Sequence, residues 1–350
     1  MRSQHISIQD IALRAGVSHS TVSRALHNSP LISAEVRERI QTLAREMGYV
    51  PNAIARSLQN QRTNTIGLVT TSISDPFFGD VVKGVEEIAG AANLSVVLSI
   101  SHNDPTQEMG IIETFHQRRV DGIIIASSRM TTGDMKRLKD IRIPTVLINS
   151  QSDIFHDWLR RIEVDDQRGV QLAVEHLLAL GHRAIGYLGS EGRPRSNRLR
   201  LRAYKESITQ AGILPRDDWM IGPPDHEVAQ EDDVVLGKTL LPRMLATEVT
   251  AIICYNDMVA VGALLACREH GIHIPEALSI IGFDDIAMAD YMMPPLTTVH
   301  QPKVELGRIA TQMLLDLLHS RPVENQLLSP TLKVRASTAA YSLDRVPDLD

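Results

Sequence analysis

The sequence predicts a small all-α module followed by a larger α/β body of two lobes, each built on a doubly wound parallel sheet. Up to residue 62 the apolar residues recur with helical spacing, whereas from Thr65 onward apolar strands alternate with amphipathic helices. The charge changes at the same place. Residues 1–62 carry eight arginines against four acidic residues, a net charge of +4, and the remainder carries 28 basic and 38 acidic side chains, a net charge of −10. A basic module on an acidic body is typical of attraction to a phosphate backbone.

The stretch from Ile8 to Leu26 predicts two short helices joined by a tight turn at Gly16. Ser7 and Asp10 resemble a capping box, and Gly16 can leave the first helix in a left-handed conformation that a Cβ would disfavour. Ser18 can cap the second helix. The polar side chains that point outward from that helix are His19, Ser20, Ser23 and Arg24. This pattern is typical of a helix-turn-helix reader of the DNA major groove, with an ordinary corner between two helices as the alternative.

A third helix is predicted over residues 33–47 and a last short one over residues 53–58. A helix of about six residues has little stability alone in water, so we expect the last one to fold only against DNA or a partner copy. The predicted organisation is a headpiece over 1–50 with its motif at 8–27, a hinge helix and linker over 51–63, a body over 64–343 and a disordered tail over 344–350.

Seven apolar stretches of the body are candidate strands: Ile66–Thr70, Ser95–Ile100, Gly122–Ala126, Thr145–Asn149, Ala184–Leu188, Ala251–Tyr255 and Ser279–Phe283. The segments with helical period are Phe78–Ala91, Gln107–Gln117, Arg168–Leu180, Leu199–Ala211, Asp232–Ala246, Asp257–Glu269 and Val304–Leu318. Continuous apolar strands separated by helices indicate buried parallel sheets with crossover helices. A body of 280 residues would overfill one such sheet, so two lobes are predicted.

Polar residues follow several of these strands, at the sheet edge where ligands bind in open α/β folds. They are Ser74, Asp75, Asn149, Asn256, Asp257, Asp284 and Asp285, with Phe77, Phe78 and Trp219 as candidate stacking surfaces. This set suits a small polar ligand held between the lobes. The alternative for each residue is a cap of the following helix, and Asp257 and Asp285 fit that role better than a ligand contact.

The sequence argues against several other classes of protein. The glycines nearest a dinucleotide fingerprint have the spacing GxxGxxG, and GxSxG, Walker and HExxH motifs are absent, so we expect neither an enzyme nor a bound cofactor or metal. Two cysteines without CxxC spacing suit a reducing compartment. The first residues lack an apolar signal core and no run approaches eighteen apolar residues, so we expect a cytoplasmic, nucleoid-associated protein that contacts no membrane. The body alone would also suit a solute-binding protein, but the basic headpiece argues against that.

In order and spacing, five stretches resemble the lactose/galactose-repressor (LacI/GalR) family of bacterial transcription regulators. They are IQDIALRAGVSHSTVSRAL, GYVPNAIARSL, SDPFF, RLRLRAY, and LSIIGFDD followed by PPLTTVHQP. The resemblance implies a periplasmic-binding-protein-like body whose chain crosses between lobes near residues 163, 293 and 323. The N-lobe would then hold residues 64–163 and 294–322, and the C-lobe residues 164–293 and 323–343. It also implies a repressor that binds palindromic operator DNA as a homodimer and is switched by a small effector in the cleft.

The resemblance also implies roles for individual residues. Base contacts fall on His19, Ser20 and Arg24, and backbone contacts on Ser18, Thr21 and Ser23. Leu58 would wedge into the minor groove, and the small Ala55 would let two hinge helices approach. Effector contacts fall on Asp75, Phe77, Phe78, Asn149, Arg200, Asn256 and Asp284.

Two departures bear on the effector. Asn149 stands where some sugar-responsive members carry an acid, which counts against a simple sugar. The arginines at 193, 195, 198, 200 and 202 are either solvated or interlobe residues, or they bind an anionic effector such as a sugar phosphate or an acid sugar. The family's leucine-heptad tail has no counterpart here, so a dimer is expected.

Overall fold

Two compact units make up the chain, residues 1–63 and residues 64–350. The computed structural model describes residues 6–49, 62–153, 156–190, 193–223 and 232–342. The predicted hinge helix over residues 53–58 and the predicted tail over residues 344–350 lie outside these ranges.

Three helices form the described part of the first unit: α1 Ile8–Ala15, α2 His19–Leu26 and α3 Ala34–Glu46. Ser7 and Asp10 form a reciprocal capping box at the start of α1, and Gly16 ends that helix with a φ of +65°. The fully buried side chains that hold the helices together are few: Ile11, Val22, Ala25 and Ile40. The helix-turn-helix predicted over Ile8 to Leu26 is therefore confirmed.

The first sheet of the second unit has six parallel strands in the order β11-β5-β4-β3-β1-β2. The strands are β1 Thr65–Thr70, β2 Ser95–Ile100, β3 Gly122–Ala126, β4 Thr145–Ile148, β5 Arg160–Val164 and β11 Gln326–Leu328. Its helices are α4 Pro76–Ala91, α5 Pro105–Gln117, α6 Thr132–Ile141 and α11 Lys303–Leu318. We call this part lobe 1, residues 64–164 and 303–328.

The second sheet has the order β12-β10-β9-β8-β6-β7, and only β12 runs antiparallel to its neighbour. Its strands are β6 Ile185–Leu188, β7 Met220–Ile221, β8 Ala251–Cys254, β9 Ser279–Asp284, β10 Thr297–His300 and β12 Thr331–Lys333. Its helices are α7 Asp166–Ala179, α8 Pro194–Gln210, α9 Asp233–Leu245 and α10 Asp257–Glu269. We call this part lobe 2, residues 166–300 and 331–342.

The chain crosses between the lobes at residue 165, at residues 301–302 and at residues 329–330. The expected crossing near 163 lies close to the first, but those expected near 293 and 323 are wrong. Residues 297–300 pair with β9 of lobe 2, with Thr298 opposite Gly282, and residues 326–328 pair with β5 of lobe 1. Two of the four residues of β10 are buried threonines, so the sequence of this strand does not show the apolar pattern of a central strand.

One helix pair in each lobe packs backbone against backbone at glycines. A Cβ on Gly84 of α4 would lie 2.0 Å from the carbonyl oxygen of Val304 in α11. A Cβ on Gly237 of α9 would lie equally close, 2.0 Å, to the carbonyl oxygen of Val259 in α10. These contacts hold two helices of each lobe close together. The polar residues of the body lie instead at the carboxyl ends of the strands, where ligands bind in open α/β folds.

Candidate functional site

Helix α2 presents a polar face to solvent. Its N-cap Ser18 accepts a hydrogen bond from the backbone N–H of Thr21 at 3.2 Å, which fixes the first turn. Val22 is buried against the other helices, whereas His19, Ser20 and Arg24 are exposed. Among the described residues, no hydrogen bond or ion pair holds the Arg24 guanidinium. An unengaged guanidinium on a braced helix can donate two parallel hydrogen bonds to a guanine edge.

The remaining residues expected to contact DNA differ in what the structure says of them. Ser18 is exposed, Thr21 and Ser23 are partly exposed, and all three stand beside the base-reading positions on α2. Ala55 and Leu58 of the expected hinge lie outside the described residues, so their roles stay predictions.

A second polar site lies between lobes 1 and 2. Arg193, at the start of α8, is 6% exposed and forms an ion pair with Asp75 of lobe 1. Its guanidinium carbon lies 4.7 Å from the ring centre of Phe77 and 5.2 Å from that of Phe78. Asp75 also caps α4 by accepting from the backbone N–H of Phe77 at 3.0 Å. Lobe 1 therefore contributes a carboxylate and two aromatic rings that all contact one arginine of lobe 2.

Arg200 is held within lobe 2. Its Nε donates to Asp166 at 2.7 Å and its Nη1 donates to the carbonyl oxygen of Tyr255 at 2.5 Å. The guanidinium lies 3.6 Å from the ring centre of Phe283. Arg200 is only 2% exposed. A buried guanidinium is stable only when it is paired and hydrogen-bonded, so the Asp166 carboxylate and the Tyr255 carbonyl hold this cation in place.

Asp284 lies at the end of β9 and is 2% exposed. Gln301, at the second crossing, donates from Nε2 to its Oδ1 at 2.5 Å, and Lys303 donates to its backbone carbonyl oxygen at 2.6 Å. Burial raises the pKa of Asp284 to about 6, even though Arg193 and Arg200 act to lower it. The carboxylate is thus poised to accept further hydrogen bonds in an environment poor in water.

Asn256 joins a third group of polar side chains in lobe 2. Its Oδ1 caps α10 by accepting from the backbone N–H of Val259 at 2.8 Å, and its Nδ2 donates to Asp233 at 2.6 Å. Ser190 donates to the other oxygen of Asp233 at 2.8 Å. Burial raises the pKa of Asp233. We call the assembled residues the interlobe cluster: Asp75, Phe77, Phe78, Arg193, Arg200, Asp233, Tyr255, Asn256, Asp284 and Gln301.

Asn149 is bound elsewhere. Its Oδ1 accepts from the backbone N–H of Val164 at 3.0 Å, and this bond ties β4 to the end of β5. Asp257 is likewise structural, since it accepts from the backbone N–H of Ile286 at 2.8 Å and from Thr298 at 2.5 Å. Of the expected effector residues, the structure brings Asp75, Phe77, Phe78, Arg200, Asn256 and Asp284 into the cluster, and leaves Asn149 in the framework of lobe 1.

The five arginines at 193–202 all have carboxylate partners. Arg193, Arg195 and Arg198 pair with Asp75, Glu163 and Asp153 of lobe 1. Arg200 pairs with Asp166, and the exposed Arg202 pairs with Glu206 one turn along the helix. Three of the five span the lobes, so the structure favours interlobe and solvated arginines over a site with unpaired positive charge.

Three residues of the cluster were not expected from the sequence: Asp233, Tyr255 and Gln301. Tyr255 and Gln301 are each 1% exposed, yet the Tyr255 hydroxyl and the Gln301 Oε1 have no hydrogen-bond partner among the described residues. The charges of Arg193, Arg200, Asp233 and Asp284 all act on the Tyr255 hydroxyl. Buried polar atoms are nearly always bonded, so an unpartnered pair at a sheet edge marks where a ligand can bind. Tyr255 stands next to Asn256 and Gln301 directly follows β10, and these positions at strand ends could have indicated both residues.

Within the described ranges, no group of three or more His, Cys, Asp or Glu side chains is arranged to hold a metal ion. Among the same residues, no helix is long and apolar enough to cross a membrane.

A helix-turn-helix unit followed in the same chain by a body of two largely parallel sheets with a polar cluster between its lobes is typical of ligand-responsive bacterial transcription regulators. Residues 7–52 match the description "Bacterial regulatory proteins, lacI family" and residues 174–338 match "Periplasmic binding protein-like domain". The chain is 34% identical to the HTH-type transcriptional regulator GalR of Escherichia coli (strain K12) over 342 residues, 97% of each chain. It belongs to the LacI family of bacterial regulatory proteins.

Solved structures agree. The lac repressor dimer bound to operator and the anti-inducer ONPF matches with a TM-score of 0.84 and 28% identity, covering 96% of this chain and all of that one. A LacI-family regulator of Enterococcus faecium with bound ribose matches with a TM-score of 0.70 and 30% identity, over 79% of this chain and all of that one.

Proposed function

We propose that this protein is a transcriptional repressor that binds a palindromic operator as a homodimer and is switched by a small polar effector in the interlobe cluster. One observation carries the proposal. A single chain joins a helix that exposes an unengaged guanidinium, Arg24, to a body whose cluster holds the buried unpartnered atoms of Tyr255 and Gln301. The operator-bound dimer of the lac repressor supports the DNA part, and the ribose-bound relative supports the effector part. Such a regulator acts in the cytoplasm, at the nucleoid.

On DNA, His19, Ser20 and Arg24 would read base edges, while Ser18, Thr21 and Ser23 would hold phosphates. Phosphate contacts fix the register of the helix, and base contacts carry the sequence preference. The hinge residues Ala55 and Leu58 would meet their partner copies at the centre of the operator, where a wedged leucine kinks the duplex.

The charge balance favours an uncharged polyhydroxylated effector over an anion. Arg193 and Arg200 are already neutralised by Asp75 and Asp166, and Asp233 and Asp284 add two further carboxylates. An anion would therefore face an excess of negative charge in a low-dielectric site. Hydroxyl groups can donate to these carboxylates and accept from Tyr255, so a neutral sugar or polyol fits better than an acid sugar or a sugar phosphate.

The test is a quantitative binding assay with the DNA upstream of the gene itself, at fixed salt. The intact protein should bind one palindromic site tightly, and Arg24→Ala should weaken that binding by about 1–3 kcal/mol and relax preference at one base pair. The matched control is Arg45→Ala, an exposed basic residue of α3 whose guanidinium donates to Gln41 and Thr42 of its own helix. An equal loss on every DNA sequence would reduce Arg24 to a phosphate contact, and no retarded palindrome at low salt would refute the DNA proposal.

The effector part is tested in the same assay with two sets of compounds. Neutral pentoses, hexoses and polyols form one set, and their phosphates and acids form the other. A neutral compound should change operator affinity. A response restricted to phosphates or acids would contradict the charge argument while leaving the repressor proposal intact.

A further inference from the structure

Helix α8 begins without a side-chain cap of its own. Its N-cap residue is Arg193, whose side chain makes no capping hydrogen bond, and Pro194 follows. The backbone N–H groups of Arg195 and Ser196 precede the first intrahelical bond, which runs from the N–H of Asn197 to the carbonyl of Arg193 at 2.9 Å. Two donors at this helix start therefore need an acceptor from elsewhere.

The acceptor comes from the other lobe. Gln151 lies between β4 and β5 of lobe 1, and its Oε1 accepts from the N–H of Arg195 at 3.1 Å and from the N–H of Ser196 at 3.2 Å. Its Nε2 donates to the carbonyl of Asn149 at 2.9 Å and lies 3.3 Å from the Ser196 hydroxyl. At 8% exposed, this amide has its oxygen and its nitrogen both engaged. One side chain of lobe 1 thus caps a helix of lobe 2.

Ion pairs surround this cap. Arg195 donates from its two terminal nitrogens to the two oxygens of Glu163, at 3.0 and 3.3 Å, and from Nε to Asp153 at 3.1 Å. Arg198 donates to the other oxygen of Asp153 at 2.7 Å. We call Gln151, Asp153, Glu163, Arg195 and Arg198 the interlobe latch. Its acceptors lie in lobe 1 and its guanidiniums on α8, so it can form only when the lobes are together.

The latch and the interlobe cluster share one rigid element. Arg193 is the N-cap residue of α8 and comes two residues before Arg195, so a movement of the first turn of this helix moves the Arg193 guanidinium. We propose that Gln151 is a positioning residue of the effector site, which acts through α8 by capping it across the lobes and holding Arg193 in place when the lobes close. This rests on the proposed function only in naming the effector site, because the contact itself needs neither DNA nor effector.

The first test is amide hydrogen exchange of the full-length protein without DNA or effector. In the wild type the amides of Arg195 and Ser196 are protected. Gln151→Ala should speed their exchange about tenfold or more, because the loss of one net hydrogen bond has that effect. Gln151→Glu should keep the protection, since a carboxylate at a helix N-terminus can accept from both N–H groups. The matched control is Gln107→Ala, in the exposed first turn of α5 of lobe 1, which should leave these two amides unchanged.

The second test separates positioning from mere contact. In protein labelled with ¹⁵N-arginine, the Nε–H resonance of Arg193 should shift in Gln151→Ala and return in Gln151→Glu, while that of Arg183 stays in place. Asp153→Asn should lower the protection of the Arg195 and Ser196 amides, and in the wild type added NaCl should lower it too, because Asp153 is exposed and its pairs are screened.

Each outcome decides. Equal exchange in the wild type and in Gln151→Ala would overturn the latch, and so would loss of protection in Gln151→Glu. Faster exchange in Gln151→Ala with an unshifted Arg193 resonance would show a contact that positions nothing, which also overturns the proposal. Failure of operator binding would instead refute the proposed function and leave these measurements standing.

Discussion

Lobes 1 and 2 share one construction and differ at one edge. Each has a six-stranded sheet, and each packs a helix pair at glycines, Gly84 in lobe 1 and Gly237 in lobe 2. At the carboxyl edge the likeness ends. Lobe 2 buries its own network there, in which Arg200 bonds Asp166 and Asn256 bonds Asp233. Lobe 1 supplies aromatic rings and carboxylates, most of which are engaged by arginines of lobe 2.

The difference teaches which lobe is assembled in advance. The side-chain hydrogen bonds of Arg200 and Asn256 are complete within lobe 2, whereas Arg193 needs Asp75 from across the boundary. A preorganised half-site loses little conformational freedom when a ligand arrives. We therefore expect lobe 2 to hold the binding geometry and lobe 1 to close over it. Three predictions test this difference between the lobes.

The largest effect is expected from Asp166→Asn. It leaves the buried guanidinium of Arg200 without its carboxylate inside a single lobe, and breaking a buried ion pair in this way costs about 3–5 kcal/mol. Asp75→Asn should cost the body clearly less, although Arg193 is also buried, because separating the lobes lets its guanidinium reach water. Thermal unfolding of the body measures both. The control is Glu206→Gln, whose exposed pair with Arg202 should not change the midpoint measurably. Equal losses from Asp166→Asn and Asp75→Asn would remove the distinction between the lobes.

The second effect is a pH dependence carried by Asp284. Its pKa is raised by burial to about 6, above the unfolded value of 3.8, so the folded protein binds the extra proton between these values. Stability contributed by this group is therefore highest below about pH 4 and declines as pH rises to about 6. Asp284→Asn should remove that decline, so that the variant gains on the wild type by about 2–3 kcal/mol across this range.

The neighbouring Asp285 is a control of opposite sign. Hydrogen bonds from His300 and Arg335 lower its pKa to about 2 despite the opposing effect of burial, so its stability is present above about pH 4 and is lost as pH falls toward 2. Asp285→Asn should therefore lose most relative to the wild type above pH 4. Urea unfolding at several pH values checks both, and a difference between Asp284→Asn and the wild type that stays constant with pH would contradict the assigned burial.

The sequence revealed the parts of this architecture that local pattern controls. The seven apolar strands and the helix-turn-helix appear where they were predicted. Six of the strands are buried along most of their length, whereas β2, at the edge of its sheet, is only partly buried. Strand β10 was not predicted, because its sequence contains the polar residues Thr297 and Thr298, which are fully buried. The backbone N–H of Thr297 donates to Ser337 and the hydroxyl of Thr298 donates to Asp257, and both partners are distant in sequence. The capping of α8 by Gln151 was hidden for the same reason.

The site followed the same rule. Residues at or near the carboxyl ends of strands, such as Asp75 and Asp284, could be placed in the cluster from their position alone. Asn149 has the same kind of position, yet its Oδ1 accepts a hydrogen bond from the backbone N–H of Val164. This contact depends on the register between β4 and β5. Tyr255 looked like the end of an apolar strand, and only its burial without a hydroxyl partner distinguishes it.

The smallest effect is expected from Tyr255→Phe, and the informative quantity is the sign of the change in stability. The hydroxyl of Tyr255 is buried without a partner, so its removal should leave the unliganded body unchanged or stabilise it by about 1 kcal/mol. Tyr204→Phe is the matched control, because that hydroxyl donates to the carbonyl of Ile185 at 2.6 Å and its loss should destabilise by about 1 kcal/mol. Thermal unfolding without effector compares them. If Tyr255→Phe destabilised the body as much as Tyr204→Phe, the Tyr255 hydroxyl would already be hydrogen-bonded in the free protein. It would then not be available to bind a ligand. A neutral or stabilising result, together with a weakened response to the neutral sugar that shifts operator affinity, would assign the hydroxyl to effector binding and not to the fold.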